Sequence, residues 1–101
     1  MVPRFTTIYH PIRVELGLNN NEYIFVDSVH QLSHSPEHPW CSQSKEQIAA
    51  FTGMSERTVY RARVVGLDKG LIETNERGDL RTTMKWVQTV VLYKQKTQKK
   101  R

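Results

Sequence analysis

Arg57 and Arg61 stand four residues apart in a stretch, residues 55–65, with the composition of a short helix. That spacing puts two guanidinium groups on one helical face. A planar guanidinium fork can bond two acceptors together, and guanine O6 and N7 form such a pair. Setting Val59 at zero and advancing about 100° per residue places Arg57 at about 160°, Arg61 at about 200° and Tyr60 at about 100°. Both arginines then point away from the aliphatic side that Val59 marks. Ser55 and Thr58 add hydroxyls near the helix start, beside backbone amides that favour a phosphate. On an isolated helix such arginines would be ordinary solvated charges, so the elements around them decide the matter.

The preceding residues supply those elements. Ser44 and Gln47 have the spacing of a capping box, Ile48, Ala49 and Phe51 provide an apolar side, and Gly53 closes the segment. A small residue at Ala49, a glycine at the turn and an aliphatic Val59 facing back fit two helices crossing at roughly 90–120° over a short turn. Further upstream, residues 11–16 read as one short helix with Pro11 at its start and Gly17 after it. Asn19 and Glu22 match a second capping box, and Phe25, Val29 and Leu32 then recur at helical spacing. Residues 33–39 read as a loop, residues 40–42 as a very short strand, and residues 1–9 as extended chain.

Downstream of Ile72 the pattern changes. Residues 71–74 and 80–84 flank a polar, glycine-containing segment, residues 75–79, suited to a β-hairpin. Arg77 at its tip and Arg81 on the returning strand are candidates for backbone phosphate or a minor groove, although Glu76 and Asp79 stand beside them. Residues 86–93 are rich in β-branched and aromatic side chains and read as strand, with a closing helix as the competing assignment.

The segment SKEQIAAFTGMSERTVYRARVVGLDKGLIE resembles the DNA-binding core of bacterial and phage winged-helix proteins. Ser55-Glu56-Arg57-Thr58-Val59 matches the usual helix start, and Lys69-Gly70-Leu71-Ile72 the exit into the wing. LGLNNNEYIFVDSVHQLS, followed by PWCSQSKEQIA, is similar to helix-turn-helix domains attached to phage and plasmid replication proteins. The resemblance covers roughly residues 16–86. It implies an α+β winged helix-turn-helix fold, a three-helix core plus a β-hairpin wing, whose second turn-linked helix enters a DNA major groove. Family members usually carry leucine-like residues where this chain has Arg63 and Gly66. Either the helix breaks near Gly66, or the glycine admits a bulky neighbour such as Phe25 or Tyr23.

Composition sets the outer limits. The 101 residues carry 15 Lys and Arg against 10 Asp and Glu, a formal charge of +5. Lys94, Lys96, Lys99, Lys100 and Arg101 account for that whole excess, which divides the chain into a formally neutral body, residues 1–93, and a basic tail, residues 94–101. Lys94 and Lys96 are candidates for sequence-independent phosphate attraction. One cysteine, no leader-like opening and no long apolar run fit a reducing cytoplasm. His30, His34, His38 and Cys41 form a series with some ligand character, but match no familiar zinc module, and no metal or other cofactor is expected. Glycine-rich phosphate loops, paired carboxylates in an apolar setting and a Cys–His nucleophile pair are all missing from the sequence, so no enzymatic activity is expected. The expected partner is double-stranded DNA, in transcription regulation or in phage or plasmid replication. A homodimer is a further candidate partner, and the alternative function is a winged helix used for protein assembly through Val87, Val90, Val91 and Leu92.

Overall fold

The computed structural model describes residues 8–33, 37 and 39–99. The expectation for residues 1–7, and the positions of His34 and His38, lie outside them. Within them the chain is α+β, with five helices and one two-stranded antiparallel hairpin.

Helix α1, His10–Leu16, carries Pro11 in its first turn and ends at Gly17, whose left-handed backbone (φ 71°) lets two amides reach back to Arg13 and Val14 carbonyls. Helix α2, Asn20–Ser33, starts from a reciprocal cap. The Glu22 amide donates to Asn19 Oδ1 and the Asn19 amide to Glu22 Oε1, both at 2.8 Å. Tyr23, Phe25, Val26 and Val29 are buried, which makes α2 the centre of the molecule. It packs on α3, α4 and the hairpin.

Helix α3, Lys45–Thr52, has the expected Ser44–Gln47 capping box, with both hydrogen bonds formed. Gly53 ends it with φ 77°, a conformation open to glycine at little cost, and its amide caps the Ala49 carbonyl at 2.8 Å. Helix α4, Glu56–Asp68, begins at the Ser55 cap and runs straight through Gly66. The second alternative for Gly66 therefore holds, with different neighbours. A β-carbon there would lie 3.1 Å from Ile72 and 3.6 Å from Val26, so the glycine makes room for the incoming strand rather than for Phe25 or Tyr23.

Strand β1, Ile72–Thr74, pairs with β2, Leu80–Thr82, and Cys41 adds an isolated bridge to Leu80. The strands are shorter than expected. Thr83 already leaves β2, donating its hydroxyl to the Gly70 carbonyl at 2.6 Å, and Met84 opens the next helix. That helix, α5, Met84–Lys99, corrects the strand reading of residues 86–93. It also carries residues 94–99 on in helical form. The reason is packing: Trp86, Val90 and Tyr93 recur at helical spacing, and Trp86 buries against the Tyr23 ring (centroids 5.2 Å apart) while Tyr93 meets Tyr9 (5.6 Å). Burial of that stripe outweighs the strand preference of the intervening Val and Thr residues. None of the helices among the described residues is long and apolar enough to cross a membrane.

Candidate nucleic-acid interface

Helix α4 turns Val59, Ala62 and Gly66 into the core. The opposite side carries Arg57 and Arg61, both exposed, as the helical angles require. The ion pair formed among the described residues is Arg81 with Glu73, so neither α4 arginine is bound to a carboxylate there. Beside them Tyr60 is 51% exposed and Val64 45% exposed. Sequence reasoning gave Val64 no role. Its place one turn beyond Arg61 on the same free face makes the stripe mixed, two cations beside two partly apolar groups.

The start of α4 is more committed than its residue types suggested. Ser55 Oγ accepts from the Thr58 amide at 3.1 Å and donates to Thr58 Oγ1 at 2.9 Å. Ser55 is thus occupied as the cap, and the donor left over is the Thr58 hydroxyl proton. Lys45, from the first turn of α3, lays its ammonium 5.4 Å from the Tyr60 ring centroid. That lysine was not singled out in the sequence, where nothing links it to a residue fifteen positions on.

In the hairpin the two arginines part company. Asn75 organises the tip: its Oδ1 accepts from the Arg77 amide at 2.9 Å and the Asp79 amide at 3.0 Å. Arg77 is held by its backbone while its side chain is exposed. Arg81 is engaged on two sides. It donates to Glu73 Oε2 from Nε (3.2 Å) and Nη2 (3.0 Å), and its guanidinium lies 4.1 Å from the Trp40 ring centroid. Arg81 therefore braces the hairpin against the segment before α3, and its expected phosphate contact would require that brace to open.

Lys94 and Lys96 project from α5, which packs on α1 and β2. The Lys94 ammonium is 5.6 Å from the Tyr9 ring centroid, and its charge also acts on Asp27. Burial nevertheless pushes the Asp27 carboxyl above the usual range, against the Gln31 hydrogen bond and Lys94. Lys94 accordingly lies along the body over Tyr9 while remaining exposed, as Lys96 is. In the histidine–cysteine series, His30 Nδ1 shares a 2.8 Å hydrogen bond with Thr82 Oγ1, and the Cys41 thiol is buried, which raises its pKa. The His30 ring thus ties α2 to β2, and the Cys41 backbone, not its thiol, ties the 40–42 segment to Leu80 of β2.

The surface thus assembled is the α4 stripe of Arg57, Tyr60, Arg61 and Val64, flanked by Lys45 and, on the hairpin tip, Arg77. No family model, curated protein or solved structure matches this chain.

Proposed function

We propose that this chain is a non-enzymatic winged-helix protein that binds double-stranded DNA, with α4 in the major groove and the β1–β2 hairpin as its wing. The carrying observation is the exposed, carboxylate-free pair Arg57 and Arg61 on a helix whose other side is locked into the core. A helix anchored in this way presents its side chains at fixed positions, and base reading needs that rigidity. Each arginine suits guanine O6 and N7, and Val64, one turn further along the same face, suits a thymine methyl group. Thr58 has a hydroxyl proton for a phosphate, and Arg77 a second phosphate or the minor groove. The role in the cell is regulation of transcription or initiation of replication, in a reducing cytoplasm.

Selection of bound duplexes from a random pool, followed by titration of the selected site at two salt concentrations, tests this. Arg57→Ala and Arg61→Ala should each weaken specific binding by about 1–3 kcal/mol and leave the melting temperature nearly unchanged. Wild-type affinity in both variants would remove α4 from the mechanism. A chain that selects no duplex at either salt concentration is not a DNA-binding protein.

A second reading is favoured by α5, where Met84 is 64% and Leu92 55% exposed, with Val91 also open. These residues suit assembly with another protein or with a second copy. Val87 and Val90 are half-buried against the body and have less to offer. Light scattering that returns a monomer at all concentrations, alongside duplex binding, would remove self-assembly through α5.

A further inference from the structure

A cleft of about 280 Å³ opens between the start of α3, the side of α4 and the hairpin tip at Gly78. Its floor is apolar: Ile48 and Leu80 keep a little exposure there, backed by the fully buried Phe25 and Val59. Its mouth is cationic. Lys45 stands over the Tyr60 ring on one side, and Arg63 lines the other. No Asp or Glu lines the cleft. Arg63 is half-buried, and the ion pair among the described residues lies elsewhere, at Arg81 and Glu73. Arg63 also occupies a position on α4 nearly above Val59, so it leans toward the body and away from the face that carries Arg57 and Arg61.

We infer that this cleft is a binding site for a small aromatic carboxylate, its ring over Ile48 and Leu80 beside Tyr60 and its acid at Lys45 and Arg63. The volume is suitable, since an apolar cavity of roughly 150 Å³ already accepts benzene. The charge pattern favours an anionic occupant, because Lys45 and Arg63 both line the opening and neither is in an ion pair among the described residues, although Lys45 also acts on the neighbouring Glu46 carboxylate. The N-terminus of α3 adds little to the attraction: Ser44 and Gln47 close its capping box, and Glu46 already draws on its amides, which lowers that carboxyl's pKa. The site does not depend on the DNA reading.

The test is a titration of the isotope-labelled full chain, without DNA, followed by amide chemical shifts. The probes are phenylacetate, phenylacetamide and inorganic phosphate. Phenylacetate should give saturable shifts at Ser44, Lys45, Tyr60, Arg63 and Gly78, at a concentration at least about fivefold below that needed for phenylacetamide. Lys45→Gln and Arg63→Gln should each weaken phenylacetate about fivefold. Arg57→Gln, outside the cleft, should leave it unchanged. Phenylacetamide binding as tightly as the acid would overturn the site, as would phosphate shifting the same amides with equal affinity, or no saturable shift. Because no duplex is present, failure here leaves the DNA reading standing, and failure to select a duplex leaves this site standing.

Discussion

Arg77 and Arg81 lie four residues apart in one hairpin and have different work. Arg81 is held by Glu73 and by the Trp40 ring, and its pairing with Glu73 is only partly screened from water. An ion pair this exposed contributes up to about 1 kcal/mol, and the ring contact a similar amount. Arg77 makes its hydrogen bond through the backbone amide, so its side chain contributes little to folding. Arg81→Gln should therefore lower stability by about 1 kcal/mol in urea denaturation. Arg77→Gln should leave stability alone and, on the proposed function, reduce the log–log salt slope of DNA binding by about one unit. A stability loss at Arg77 as large as that at Arg81 would mean that the tip arginine is structural.

Among the elements, those governed by local rules were legible in advance. Both capping boxes, the Gly53 turn, the short first helix and the hairpin follow from side chains acting on their own backbone within a few residues. Helix α5 was not legible in the same way. Its Val and Thr residues favour strand locally, and the deciding interaction, Trp86 against Tyr23, joins residues sixty-three positions apart. The candidate site divides likewise. The outward pointing of Arg57 and Arg61 follows from one helix's periodicity, whereas Lys45 over Tyr60, Arg81 on Trp40 and Lys94 on Tyr9 depend on how elements dock. Because α5 is fastened by its aromatic stripe, Trp86→Ala should destabilise the fold by about 3–5 kcal/mol. Circular dichroism in rising urea measures it. A loss below about 1 kcal/mol would show that α5 is an appendage rather than part of the core.

At the scale of the whole molecule, charge and burial meet in a pH dependence. The excess positive charge of the sequence lies beyond Tyr93, so the body is close to neutral and self-repulsion contributes little to its stability near pH 7. At alkaline pH one buried phenol takes over. Burial raises the Tyr23 pKa from the ordinary value of 10.0 to about 12, outweighing the backbone hydrogen bond at Tyr9, which lowers it; the Asp27 charge adds to the rise. The folded chain thus holds the Tyr23 proton at pH values where the unfolded chain has released it. Stability from this group is complete below about pH 10 and is lost as pH rises toward about 12. Across the window the loss reaches at most about 2.7 kcal/mol. Tyr23→Phe keeps the ring against Trp86 and removes the titrating group, while lysines and other tyrosines titrate equally in both proteins. Urea denaturation at pH 9 to 12 should therefore show a fall in stability that is steeper in the wild type than in Tyr23→Phe. Parallel curves would mean that water reaches the Tyr23 hydroxyl, and that the junction of α2 with α5 is open where it is drawn closed.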